Sequence, residues 1–567
     1  MARPSLRQLF WCMSVAALTA VETPAAPPSH PRAAVATVHR IATEAGVQAL
    51  RDGGNAVDAA VVAGLVLGVV DGFNSGIGGG CLMLVRGPDG TLTAIDGRET
   101  APAAATRDMY LVDGHADAAL SRTGPLAVAT PGQVAAFHDA ITAFGRLPWA
   151  YHCRAAARIA AEGFTISAQY ASRLATVRAD LARFEGSRRI FLRPDGAPLE
   201  TGDRLVQPDL ARSLHSLADD GPDWFYRGPY AARVGDWMAE HGGILTAADF
   251  ATYRSLRREP LVGQYRRWTI VGFPPPSSGG IHVAQMLGML EPFDLAPLGP
   301  DSDAFRHLVA EAMKRAFADR ARWLGDADFV AVPRGLLDRD YLAARSVGID
   351  PDRAVPVPSA GEPPAATDDV FPPAKHTTHV SAADADGWWV ACTSTVNTTF
   401  GSKVVVPGTG IVLNNEMDDF VAEPGARNAF GLVGGEANAI AAGKRPLSSM
   451  SPTIVLEDGR PLLAVGAAGG PTIISQVLLA IIQTLDFGAD PEAALTRPRF
   501  HHQWSPDRLR IERGAGAAVL DALSARGHAI EAVDSIGAST LVTRPQADGP
   551  FSGAAEPRLA EAAVGGL

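Results

Sequence analysis

Cysteine is scarce in this chain: four in 567 residues, at positions 12, 81, 153 and 392. None of the spacings suits a metal-ligand set. With Cys12 inside an N-terminal apolar run, the other three are an odd number that implies no disulfide framework. Basic charge is not in excess either. A formal net charge of -11 and a pI near 5.7 leave no electrostatic footprint for nucleic acid, which needs a basic face. Long apolar runs fit for a membrane are missing too. The run "LFWCMSVAALTA" is too short for a stable anchor. It follows Arg3 and Arg7 and precedes small residues and prolines, the order of a secretory signal peptide over about residues 1–26. Export to the periplasm or the exterior is expected. The second run, "AVDAAVVAGLVLGVV", contains Asp58 and reads as a helix buried in protein. No repeat of solenoid period is present. The glycines of "NSGIGGG" lead into a strand and do not open a helix, so they form no dinucleotide fingerprint, and no cofactor is expected.

What is present is enough apolar sequence, 47%, to bury a large core in two or three domains or one layered unit. A small molecule or a peptide is the default substrate. From Ala42 to Val70 the pattern predicts two helices, with Gly53 and Gly54 ending the first and Asn55 capping the second. Residues 130–345 read as mainly helical by their three- and four-residue periodicity. The interruption "GFPPPSSGGIH" precedes a helix in "VAQMLGMLEPF", and its serines read as caps more readily than as substrate contacts. Residues 346–376, rich in proline and aspartate, read as an exposed linker. Strand-like alternation begins at Thr377.

The segment from Ala374 to Gly401 crowds eight Ser and Thr hydroxyls around one turn, without the acid-base pair of a serine hydrolase. It divides into "TTHVSAA", the turn "DADG" and "WWVACTSTV", a β-hairpin whose paired numbers are expected to sum to about 771. Thr377 then lies opposite Ser394 or Thr395. Threonine is a weak nucleophile unless given a base, and its own α-amino group serves once it begins a chain. Cleavage between His376 and Thr377 supplies that amine. Thr395 could then bond the nucleophile's oxygen, and Asn397 could orient the amine. On the hairpin alone, threonines present for β-propensity remain the competing reading. His376 and His379 point to opposite faces of a strand, so "HTTH" is no metal site.

Ordered motifs along most of the chain resemble those of the γ-glutamyltransferases, also called glutathione hydrolases, of the N-terminal-nucleophile hydrolases. They are "GGNAVDAA", "SGIGGG", "GRETAPAAATRDMYL", "PPPSSGGIH", "TTHVS", "STVNTTFG", "LNNEMDDF", "KRPLSSMSPTIV" and "AAGGPTIISQ". The resemblance implies an α+β fold, a four-layer αββα sandwich. It also implies self-cleavage into a large subunit, 27–376, and a small catalytic one, 377–567, folded together. It assigns the nucleophile to Thr377, support to Thr395 and Asn397, and the oxyanion site to Gly469 and Gly470. Arg98 matches the carboxylate-binding arginine, joined by the hydroxyls of Ser448 and Ser449, while Glu416 and Asp419 face the substrate ammonium. The implied substrates are glutathione and other γ-glutamyl compounds, with acceptor amino acids or peptides. In the loop "VAEPGARNAFGLVGG", Phe430 falls where relatives with a lid carry Tyr. Within the same fold, a cephalosporin or glutaryl acylase is the rival reading. A non-catalytic secreted binding protein is the rival from another class.

Overall fold

A computed structural model of the protein describes residues 29–364, 378–423, 425 and 428–567. The expected signal segment, the end of the linker, His376 and Thr377 lie outside the described residues.

Two helices follow the strand Ala33–Thr37. Helix α1 (Arg40–Arg51) ends at Asp52, and α2 (Ala56–Val70) begins at a capping box. Asn55 accepts from the Val57 and Asp58 N–H groups, while the Asp58 carboxylate accepts the Asn55 N–H at 2.8 Å. Orphan donors are satisfied on both sides. Helix α2 is apolar all round because both of its sides are covered, and it is buried along its length except at Gly68.

Two seven-stranded antiparallel sheets form the centre. One runs Ser29–His30, Phe551–Ala555, Ala538–Thr543, Arg460–Ala468, Thr453–Glu457, Trp268–Gly272, Leu261–Tyr265 from edge to edge. The other runs Ala563–Gly566, Ala33–Thr37, His379–Asp384, Trp389–Thr395, Gly80–Arg86, Leu92–Gly97, Leu256–Arg258. They face each other across small and branched residues: Ala34, Ala36, Leu84 and Ala391 from the second sheet meet Ile454, Ala464 and Val542 from the first. The outer faces carry helices. Helices α1 and α2 cover the second sheet; α3 (Gly279–Leu290), α4 (Asp303–Trp323) and α5 (Thr472–Leu485) share a core with the first. The result is the expected four-layer αββα sandwich. Central strands are buried on both faces, which is why they read as apolar runs.

The hairpin register differs by one from expectation. His379 stands opposite Thr393 and Ala383 opposite Trp389, so paired numbers sum to 772. The tip holds three residues, Ala385 to Gly387, with Gly387 at φ 99°, where only the lack of a Cβ makes the turn easy. Among the mainly helical residues 130–345, the strands Leu256–Arg258, Leu261–Tyr265 and Trp268–Gly272 were not anticipated. The described part of the linker is also less free than its composition suggests. Lys314 Nζ donates to Val355 O at 2.7 Å, Trp504 Nε1 to Val357 O at 2.7 Å, and the Gly361 N–H to Asp319 at 2.7 Å. Polar groups of α4 and the C-terminal half strap a segment that has no core of its own.

Candidate active site

Thr378 is the first residue described after the linker, and its carbonyl accepts the Ser394 N–H at 2.5 Å. Thr395 ends the neighbouring strand, fully buried, and its Oγ1 accepts the Asn397 N–H at 2.7 Å. A hydroxyl engaged as acceptor keeps its own proton for donation elsewhere. Asn397 adopts φ 75°, a conformation asparagine tolerates, and its Nδ2 donates to Asn415 O at 3.0 Å. Its Oδ1 is buried without a partner among the described residues, so it is an acceptor available to an ammonium.

Arg98 follows the strand Leu92–Gly97 and is completely buried. Its guanidinium lies 2.6 Å from Glu416, 2.9 Å from Asp419 and 3.1 Å from Glu99. Burial pulls the arginine's pKa down, but Glu416, Glu99 and Asp419 outweigh it and leave the net shift upward. The acidic turn Glu416–Asp419 is set by Asn414, which accepts from the Glu416 and Ala129 N–H groups and donates to Gly78 O and Ala129 O. Three carboxylates and one planar fork therefore converge in a dry site.

Ser448 and Ser449 reach the same region through Arg320, a residue of α4 that sequence patterning did not single out. Arg320 Nε donates to Ser278 Oγ at 3.0 Å and its NH2 group to Ser449 Oγ at 3.5 Å. Burial lowers its pKa to about 10 while Asp419 opposes the shift. The serines of "PPPSSGG" turn out to be braces: Ser277 and Ser278 bond the carbonyls of Met450 and Ser448, and Ser278 makes no side-chain cap for α3. This corrects the capping expectation at Ser278, while Ser277 Oγ does accept the Gly279 N–H at 2.8 Å where α3 begins. That turn lies against "PLSSMS", where Ser448 N–H donates to Pro276 O at 2.7 Å.

Gly469 and Gly470 have φ 132° and 60° before α5. A Cβ on Gly470 would come within 2.6 Å of the Phe430 ring, and one on Gly469 within 2.7 Å of Thr472 Oγ1. Phe430 thus rests on the glycine turn. Its loop is held by the Ala429 N–H to Asp418 at 2.9 Å and by Gln503 Nε2 to Gly431 O at 3.1 Å.

His379 is a core histidine between the sheets, with Thr393 Oγ1 at 2.9 Å and Ser381 Oγ at 3.1 Å from its nitrogens. Burial pulls its pKa down to about 3, so it stays neutral. Among the described residues, His307, Glu311 and His528 are grouped as metal ligands can be. Lys314 and Arg315 already hold Glu311 at 2.8 Å, and the imidazoles bond each other at 2.8 Å. Cys81, Cys153 and Cys392 are buried free thiols.

The sequence pattern of the Gamma-glutamyltranspeptidase family matches residues 42–566. The glutathione hydrolase proenzyme of Escherichia coli K12 is 44% identical over 528 residues, 92% of this chain and 90% of its own. The acylase ACY 1 proenzyme of Pseudomonas sp. strain SE83 is 38% identical over 541 residues, 93% and 92% of the two chains. Among solved structures, the cephalosporin acylase of Bacillus halodurans superposes with a TM-score of 0.84 at 27% identity, covering 98% of this chain and 99% of its own. The chain belongs to the gamma-glutamyltranspeptidase family. It is an enzyme of the hydrolase and acyltransferase class built on the N-terminal-nucleophile fold.

The Gly470 contact makes a prediction. Gly470→Ala is expected to push Phe430 aside and lower kcat by about 100-fold, the usual effect of an ångström-scale displacement at a reacting centre. Steady-state kinetics on a variant with a wild-type circular dichroism spectrum checks it.

Proposed function

We propose that the protein is an exported, self-processing γ-glutamyl hydrolase and transferase that takes glutathione and related γ-glutamyl compounds, with Thr377 as nucleophile. Cleavage of the His376–Thr377 bond frees the α-amino group of Thr377. That amine takes the hydroxyl proton as Oγ1 attacks the γ-carbonyl carbon. The oxyanion collapses, the leaving amine departs with the proton, and a γ-glutamyl ester remains. Water or an acceptor amine then attacks the ester and restores the hydroxyl, releasing glutamate or a new γ-glutamyl amide.

The observation that carries this reading is the group of Arg98, Glu416 and Asp419, a cationic fork amid carboxylates. An α-amino acid head presents one carboxylate and one ammonium. Arg98 takes the carboxylate, with hydroxyl donation from Ser448 and Ser449, and Glu416 and Asp419 take the ammonium. The N–H groups at Gly469 and Gly470 serve the oxyanion, because residues without a Cβ let the backbone come close to the reacting carbonyl. Thr395 donates to the nucleophile's oxygen, and Asn397 Oδ1 accepts from its amine.

The acylase relatives favour a second reading, in which the substrate is a glutaryl amide without an ammonium. Buried carboxylates that lose a cationic partner are costly, so the two substrates are expected to differ sharply. On purified protein, kcat/KM for a γ-glutamyl anilide is expected to exceed that for the glutaryl anilide by about 10³-fold or more, as for other sites that must pair a missing N–H group. Comparable values would assign the protein to the acylases.

A further inference from the structure

The turn "DGFN", residues 71–74, has no role in the scheme above, yet it touches both strands of the nucleophile's hairpin. Asp71 caps the C-terminal end of α2 and is buried. Its carboxylate accepts from the Thr378 hydroxyl at 3.2 Å and from Asn74 Nδ2 at 3.1 and 3.2 Å. Asn74 O accepts the Val396 N–H at 3.0 Å, and Phe73 O accepts the Phe400 N–H at 2.9 Å. One turn therefore grips the residue after Thr377, the residue after Thr395, and the far end of the loop that carries Asn397. Asp71, Asn74 and Gly469 also line one cavity of about 460 Å³.

We propose that Asp71 is a positioning residue for the nucleophile: by anchoring the Thr378 hydroxyl it fixes the start of the catalytic strand, and it thereby shapes how turnover responds to pH. This rests on the assignment of Thr377 as nucleophile. A carboxylate here is electrostatically misplaced, because the C-terminal end of a helix carries partial negative charge. Burial raises its pKa to about 7, against the hydrogen bonds from Asn74 and Thr378 and the field of Arg173. The other ionisable groups around the cavity are His39, ahead of α1, Tyr170 on the Arg173 helix, and Arg558 and Glu561 near the C-terminus. His39 is kept neutral, its pKa lowered to about 4 by burial and by Arg40, and it lies 3.7 Å from Glu561. Arg558 is paired with Glu512 at 2.6 Å and Glu556 at 3.0 Å. Arg173 is thus the cation that acts on Asp71.

The sign follows from the raised pKa. The stability Asp71 contributes is complete below the usual carboxylate range and is lost as pH rises through about 7. Only the ionised form offers all its lone pairs to Thr378 and Asn74, so order at Thr378 increases as that stability falls.

The test measures kcat against pH from 5 to 9, together with thermal melts, for wild type, Asp71→Asn, Thr378→Val and Thr378→Ser, using a γ-glutamyl anilide. A free α-amine titrates near 7.7, so the wild-type acid limb is expected to contain two ionisations and be steeper than one proton allows. Asp71→Asn and Thr378→Val should retain one ionisation, and Thr378→Ser should restore two. At pH 6, activity relative to its own plateau should be about tenfold higher in Asp71→Asn, since a group with its midpoint near 7 is about one-tenth ionised there. The melting temperature of Asp71→Asn should fall less than that of wild type from pH 5 to 8.5. An acid limb in Asp71→Asn that superposes on wild type overturns the proposal. If that variant fails to fold, an unchanged limb in Thr378→Val does the same. Wild-type protein without γ-glutamyl turnover would sink the functional reading alone; the pH dependence of chain cleavage, read by intact mass in the same four proteins, then decides the inference.

Discussion

Thr377→Ala is expected to leave the chain in one piece and to lower turnover by at least about 10⁴-fold, the scale on which an acyl-enzyme catalyst loses activity without its nucleophile. In the unmodified protein, intact mass and terminal sequencing are expected to find two fragments, the smaller beginning at Thr377. In the proposed mechanism both effects come from one atom. The same Oγ1 that attacks a γ-glutamyl carbonyl would first attack the carbonyl of His376, and a methyl group can do neither. Thr377→Ser, which keeps the hydroxyl, should be cleaved and active. A Thr377→Ala protein that is cut before residue 377 and turns over substrate would remove Thr377 from the mechanism.

The second large effect is expected at Arg98. Arg98→Lys should lower kcat/KM for a γ-glutamyl anilide by about 100- to 1000-fold, because a point charge cannot reproduce a planar fork that addresses several oxygens at once. Arg98 is completely buried and in contact with Glu99, Glu416 and Asp419. Arg98→Ala therefore strands buried carboxylates and should destabilise the protein by about 3–5 kcal/mol, visible as a lower melting temperature. Lysine retains the charge and should recover much of that stability while failing in kcat/KM. That contrast separates a recognition role from a structural one.

Much of the site was legible because it lies in contiguous stretches whose residue types have local meaning. Asn55 before an apolar run announces a helix start, and it caps α2 as read. The hydroxyl-rich hairpin could be placed within one residue of its register by its turn alone. Arg98 lies 321 residues from Asp419 and nearly as far from Glu416, but the family resemblance groups them as expected contacts of one ligand head, and the fold brings them together. Arg320 was not legible. It sits in a helix rich in Ala and Arg, where one more basic residue looks like solvated surface, and only packing puts it beside Ser278 and Ser449. Ser278 of "PPPSSGG" misled for a related reason: a serine before a helix is most often a cap, yet here its hydroxyl donates to Ser448 O and accepts from Arg320 Nε.

The sequence by itself determined most of the elements and which threonine follows the linker, while the family resemblance supplied the charges expected to suit an amino-acid head. The elements depend on neighbours within a few residues, whose periodicity and caps act locally. The tertiary structure alone decided which face of each element meets which, and so which polar groups are dry. It placed Arg320 behind the serines, laid Phe430 on Gly470, and tied Asp71 to Thr378 across more than 300 residues of chain. Burial and distance set the strength and sign of electrostatics, and neither is a property of a residue's place in sequence.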